Sequence, residues 1–313
     1  MNFFTKVLIP KADFSVKHTD GMMLMGSCFT ENIGQYLQQF QFNVNINPFG
    51  IIYNPISLFN NLNNILQHKK YTEQDLLFHN ELYLSLDHHG SFSNTKSEIV
   101  LENINESIEK AHDDFNKSQY LIFTLGTAFT YTHQIQNRVV ANCHKIPNNA
   151  FNKAILSVEE IKNAYKLIHN HLNNKTILFT VSPVRHWRDG AIENQRSKSI
   201  LIESIHQIIA ENKNCHYFPG YEIMMDELRD YRFYEEDMLH PNKVAVKYIW
   251  QRFSETYFDE NTIYLNHRIQ KIQHLLQHRI KHTDTNEHHD FKIRIQKSID
   301  EFKNDYPNLV VNF

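Results

Sequence analysis

Cysteine is scarce in this chain: three in 313 residues, Cys28, Cys143 and Cys215, without Cys-x-x-Cys spacing. An odd, scattered set supports neither a disulfide frame nor a structural zinc site. An excess of one charge is missing too. The net charge is −3 with histidines neutral, which removes any broad electrostatic reason to bind nucleic acid or an acidic membrane. No apolar stretch approaches the length of a bilayer span, so membrane insertion is not expected. Met1 to Pro10 holds only Lys6 and a short apolar run, with no small-residue cleavage site after it. No secretory signal is expected, and the cytoplasm is the default location. Glycine is also sparse, with eight residues against an average usage of about 7%. Scarcity makes each survivor a sharper marker of a backbone constraint. Gly26, Gly50 and Gly126 each follow an apolar or extended segment.

Hydrophobic residues make up 41% of the chain, enough for a sizeable core. The length suits one large α/β domain with additions, or two domains. Met22 to Met25 reads as a buried strand running through Gly26-Ser27 into an amphipathic helix over 30–40. An alternating strand, Phe42 to Asn45, leads to the rigid loop Asn47-Pro-Phe-Gly50 and a helix opened by Pro55. A hairpin-like excursion is expected within 71–97, then a helix with Leu101, Ile104, Ile108, Ala111 and Phe115 on one face. Tyr120 to Leu125 is a continuous apolar strand, and 129–150 reads as polar and irregular. Ser157-Val-Glu-Glu160 has the capping-box pattern before another helix. Strand Thr176 to Val181, helix 193–212, a short strand near His216 to Pro219, and a helix from Pro241 to 257 complete the alternation. Short apolar strands alternating with helices imply a parallel sheet covered on both faces. The expected division is a domain over 1–257 and a helical extension over 258–313. That tail is suited to packing on the domain, covering an edge of the site or supporting a homodimer. Its Thr283–His289 stretch reads as a polar linker rather than a metal site.

Ser27 stands at the carboxyl end of a strand and the start of a helix, where ligands bind in open α/β sheets and helix N–H groups favour developing negative charge. It is a candidate nucleophile; for a lone Gly-Ser, the competing reading is a helix cap. A second signal lies at Asp237-Met-Leu-His240-Pro241, before a helical segment. There the aspartate can orient an imidazole whose other nitrogen faces a serine. Alone, Asp-x-x-His can equally cap a helix, or Asp237 can pair with Arg229 or Arg232.

Together, the early Gly-Ser and the late Asp-x-x-His-Pro resemble the SGNH (GDSL-like) hydrolase superfamily. Gly26-Ser-Cys-Phe-Thr30 looks like the signature that names the GSCFA family within it. Asn47-Pro-Phe-Gly50, Thr124-Leu-Gly-Thr-Ala128, Asn142-Cys-His-Lys145, Ser182-Pro-Val-Arg-His186 and Asp226-to-Tyr234 are similar to that family's other blocks, over roughly residues 20–250. The resemblance implies a three-layer α/β/α, flavodoxin-like parallel sheet with a C-terminal helical addition. It implies Ser27 as nucleophile, His240 as base and Asp237 as acid. Backbone N–H groups near Ser27 and Gly50 would form the oxyanion hole. The wider superfamily offers an asparagine at its third block; here Gly126-Thr127-Ala128 stands instead, so Thr127 or the more distant Asn142 would replace that donor. The implied activity is cofactor-independent esterase or acyltransferase chemistry on a small-molecule or glycan ester. The rival reading is a catalytically silent ligand-binding protein of the same fold; a metal-dependent hydrolase is a third.

Arg185 and His186 leave a strand on the Ser27 edge and either line the substrate pocket or form a salt-bridged loop. His144 either faces the site or packs locally. Cys28 is an alternative nucleophile, but a small packed residue is favoured. Arg229, Asp230 and Arg232 are expected to form structural ion pairs, and Ile200, Ile205 and Ile208 a core stripe.

Overall fold

The computed structural model describes residues 4–277, 286–309, 311 and 313. The first apolar run forms β1 (Gly21–Gly26), followed by α1 (Cys28–Gln39) and β2 (Asn43–Ile46). Pro55 starts α2 (Pro55–Leu66), with Asn54 as N-cap accepting from the Ser57 N–H. A hairpin, β3 (Leu77–His79) and β4 (Leu82–Leu84), precedes α3 (Ser97–Lys117) and β5 (Ser118–Leu125). Next come β6 (Phe129–His133), β7 (Arg138–Val140) and β8 (Phe151–Ile155), then α4 (Val158–His169) behind the expected Ser157/Glu160 capping box. After β9 (Thr176–Val181), α5 (Gly190–Glu211) and β10 (Cys215–Phe218), a short turn α6 (Gly220–Glu222) runs into a π-helical stretch, Ile223–Glu227. The chain ends in α7 (Lys243–Tyr257), α8 (Glu260–Gln277) and α9 (Asn286–Asp305).

Five strands form one parallel sheet in the order β10-β9-β5-β1-β2. Period-two alternation in β1 assigns its side chains to opposite layers. Met23 and Met25 pack with Leu58, Ile104, Tyr165 and Leu201, from α2 to α5. Met22 and Leu24 pack with Phe29, Ile33 and Leu37 of α1, Ile249 and Phe253 of α7, and Ile269 of α8. The architecture is therefore α/β, a central parallel sheet flanked by helices. Ile205 and Ile208 are buried as expected, while Ile200 is only partly so. In order of appearance the sheet strands lie 2-1-3-4-5. The chain reverses its direction of build beside β1, so the crevice beyond β1 and β5 is a topological switch point.

Two expectations need correction. The 129–150 stretch is not irregular: β6 pairs antiparallel with both β7 and β8 in a separate three-stranded sheet. The helix after the Asp237–His240 loop starts at Lys243 rather than Pro241, because Asn242 caps it by accepting from the N–H groups of Val244 and Ala245. The expected linker Thr283–His289 falls partly on residues outside those described; α9 already begins at Asn286. Among the described residues no helix is long and apolar enough to cross a membrane.

Candidate functional site

At Gly26 the backbone takes φ +148°, and a Cβ there would lie 2.2 Å from the Thr124 carbonyl oxygen. Only glycine lets the ends of β1 and β5 come this close. The turn is fastened on three sides. Gly26 N–H donates to Asn47 Oδ1 (2.9 Å), Ile52 N–H donates to the Gly26 carbonyl (2.9 Å), and Ser27 N–H donates to the Thr124 carbonyl (3.1 Å). Ser27 occupies the N-cap position of α1, yet its side chain makes no capping hydrogen bond. Ser27 is 1% exposed and its Oγ has no hydrogen-bond partner. An orphaned buried hydroxyl costs about 1–3 kcal/mol. The cap reading therefore fails, and a hydroxyl is held, unspent, at the switch point and the positive end of a helix.

The expected oxyanion donors are already engaged. Ser27 N–H serves Thr124. Gly50 N–H donates to the Asn47 carbonyl (2.7 Å), closing a tight turn with Gly50 at φ +79°. Thr127 N–H donates to the Tyr53 carbonyl (3.0 Å), and its hydroxyl pairs with Ser197 Oγ (3.0 Å). At the first turn of α1 the N–H groups of Cys28 and Phe29 face the Cys28 sulfur. They favour its thiolate, but burial outweighs them and pushes the thiol up. Cys28 is thus a neutral thiol, a poor nucleophile.

Lys198 escaped the sequence reading. It is fully buried on α5, and its ammonium donates to the carbonyls of Gly126 and Ser182 (2.8 Å each), which follow β5 and β9. Burial brings it down to about 7, with the neighbouring Arg185 pushing the same way and Cys28 opposing. The signal existed: Lys198 stands three residues before Leu201 and seven before Ile205, on the helix's core stripe, where lysine is out of place.

Asp237 and His240 form a closed unit. Asp237 Oδ1 accepts from the N–H groups of Leu239 (2.8 Å) and His240 (3.0 Å), and Oδ2 lies 2.6 Å from His240 Nδ1. These bonds hold the Asp237 carboxyl down at about 2. An ionised carboxylate only accepts, so the hydrogen bond places a proton on Nδ1 and points Nε2 away from Asp237. The Arg185 N–H, donating to the Leu239 carbonyl (3.3 Å), ties this loop to the segment leaving β9. His240 makes no hydrogen bond to Ser27, whose hydroxyl has none.

His186 lies electrostatically between the two halves. Burial lowers it to about 4, and both Lys198 and His240 push it the same way. Its ring packs edge-on against Tyr53, with centroids 5.1 Å apart. Arg185 has no carboxylate partner among the described residues, so the salt-bridged-loop reading fails; its guanidinium instead stacks on Trp187, 4.9 Å from the ring centroid. His144 packs locally, its Nε2 2.7 Å from the Ser85 carbonyl oxygen. Asn142 Oδ1 accepts from the His144 N–H (2.9 Å). The expected ion pairs do form, Arg229 with Asp226 and Arg232 with Asp230. The structure thus gathers Ser27, Thr127, Arg185, His186 and the Asp237–His240 loop at one edge of the sheet, with Asn142 and His144 bound into neighbouring loops.

No curated protein and no solved structure gives a significant match. Residues 21–253, by contrast, match the GSCFA family, and the chain belongs to that family.

Proposed function

We propose that the chain is a serine hydrolase of the SGNH type, an esterase or O-acyltransferase working through an acyl-enzyme on Ser27. One observation carries this reading: a buried serine hydroxyl without a partner, at a glycine-dependent strand-to-helix turn and a topological switch point. In the proposed step His240 Nε2 takes the Ser27 proton while Oγ bonds to the ester carbonyl carbon. Collapse of the tetrahedral intermediate breaks the bond to the alcohol, which leaves with the proton from His240. Water or a second hydroxyl, deprotonated by His240, then releases the acyl group. The charge developing on the carbonyl oxygen would meet the first-turn N–H groups of α1. The reading requires a Ser27–His240 hydrogen bond that the resting conformation lacks; such bonds often tighten only when substrate binds. Carbohydrate esters are the proposed substrates by superfamily analogy. The cytoplasm, where unpaired cysteines persist, is the proposed location.

The test is p-nitrophenyl acetate turnover with fluorophosphonate labelling, for wild type, Ser27→Ala and His240→Ala, each checked for folding. Turnover lost in both variants and label lost in Ser27→Ala is the expected result. Undiminished turnover without Ser27 rejects the nucleophile. The engaged oxyanion donors favour the second reading, a ligand-binding protein of this fold. Absence of both turnover and labelling in folded wild type would select it.

A further inference from the structure

Beside the Asp237–His240 loop lies an open cleft of about 430 Å³, bordered by Arg185, Trp187, Arg229, Tyr231, Tyr234 and Asp237 among others. Its charges are not equivalent. Arg229 is paired with Asp226 and Asp230 with Arg232. Asp237 has its oxygens committed to the Leu239 and His240 N–H groups and the His240 ring. Arg185 alone of these has no carboxylate partner, and its Nε is buried without a hydrogen bond. A guanidinium at the cleft wall with an unused donor and no carboxylate is an arrangement that an anion completes.

The remaining walls present rings. Trp187 is 46% and Tyr231 75% exposed, and the Tyr231 and Tyr234 centroids are 6.1 Å apart. Exposed aromatic faces beside a fork of N–H donors suit a flat or pyranose ring that carries a charged oxygen group.

We propose that the Arg185–Trp187–Tyr231 cleft binds a ring-bearing oxyanion, a carboxylate or a phosphate, as part of the molecule presented to Ser27. This names the substrate class for the site and rests on the esterase reading only for what Ser27 then does; the binding itself does not depend on catalysis. The cleft adjoins the base rather than the nucleophile, which places the oxyanion on the side of the alcohol whose oxygen His240 protonates.

The chain has two tryptophans, and Trp250 is buried, so a ligand entering this cleft is read by Trp187 fluorescence. Glucuronate, glucose 6-phosphate and glucose are titrated into wild type, Ser27→Ala, Arg185→Gln and Tyr231→Ala. Saturable quenching by at least one anion and none by glucose is expected, and the stronger of the two anions identifies carboxylate or phosphate. Arg185→Gln is expected to weaken it about 10- to 100-fold, the loss of a charge-assisted hydrogen bond. Tyr231→Ala, a change at an exposed position that keeps the test available if Arg185→Gln misfolds, should weaken binding of the sugar anions but not of inorganic phosphate or acetate. Binding retained in Ser27→Ala separates this proposal from the fate of the nucleophile. Equal response to glucose, no response to either anion, or anion binding unchanged in folded Arg185→Gln would each overturn it.

Discussion

The two halves of the candidate site are built in opposite ways. Around Ser27 the backbone groups of the Gly26-Ser27 turn are committed, to Asn47, Ile52, Thr124 and Thr30, and the side chain is sealed at 1% exposure with nothing to bond. Around His240 the side chains are the committed groups, bonded to one another, and they stand on a surface loop with the histidine side chain 49% and the aspartate 46% exposed. One half is fixed by sheet geometry and carries the energetic cost of an unsatisfied polar atom. The other is internally satisfied, and its backbone strain is confined to Met238 at φ +60°. On the proposed reading, the contrast teaches that a nucleophile needs a rigid scaffold to hold an unfavourable position, whereas an acid–base pair can be preassembled locally and brought to it.

The contrast breaks most drastically at Gly26. Gly26→Ala must relieve both the φ of +148° and the 2.2 Å approach to Thr124, so a loss of about 4 kcal/mol or more, or no folded protein, is expected. Gly190→Ala is the control: its φ is +82° but nothing lies within 4 Å of the added methyl, so strain alone should cost about 1 kcal/mol. Urea unfolding midpoints compare them, and equal losses would show that close packing of β1 on β5 matters little.

Lys198→Met gives the next largest effect, and its size depends on pH. The folded lysine sits at about 7, below the ordinary value of about 10.4 in the unfolded chain. Between those values the unfolded chain holds the extra proton, so this group makes wild type more stable as pH rises, by at most about 1.4 kcal/mol per unit. Below pH 7 burying the cation offsets its two carbonyl bonds, and the variant should lose little. At pH 9 the variant lacks the gain and leaves the Gly126 and Ser182 carbonyls unpaired, for a loss of about 2–3 kcal/mol. Unfolding at pH 6.5 and pH 9 checks this; a pH-independent difference would contradict it.

The frame of the molecule was legible because its signals are local and redundant. β1, β5 and β9 are continuous apolar runs, and α2 and α4 carry Pro55 and the Ser157/Glu160 box at their starts. The β6–β8 sheet was missed because its strands are three to five residues long and half-exposed, β8 pairs across the Pro147 loop, and the β6–β7 turn over Gln134-Ile-Gln-Asn137 carries neither glycine nor proline. At the site, residue types were legible and satisfaction was not. Whether Gly50 or Thr127 N–H is free depends on how the 47–53 loop folds over the ends of β1 and β5, which no residue in either segment encodes alone.

The smallest effects sharpen the comparison furthest. Ser27→Ala removes a hydroxyl that bonds to nothing, so stability should be unchanged or rise by up to about 1 kcal/mol. His240→Ala removes an exposed Asp237–His240 hydrogen bond and should fall within about 0.5 kcal/mol of wild type. Because the two side chains share no hydrogen bond at rest, the double variant's stability change should equal the sum of the single ones to within about 0.5 kcal/mol. In p-nitrophenyl acetate turnover the same cycle should be strongly non-additive, the double variant losing no more than the worse single one, since nucleophile and base act as one unit. Additivity in both would mean that the two halves never meet. Coupling in stability would mean that they are joined before substrate arrives. The expected split, independent in folding and inseparable in chemistry, is what a rigid nucleophile and a separately assembled base produce when substrate unites them.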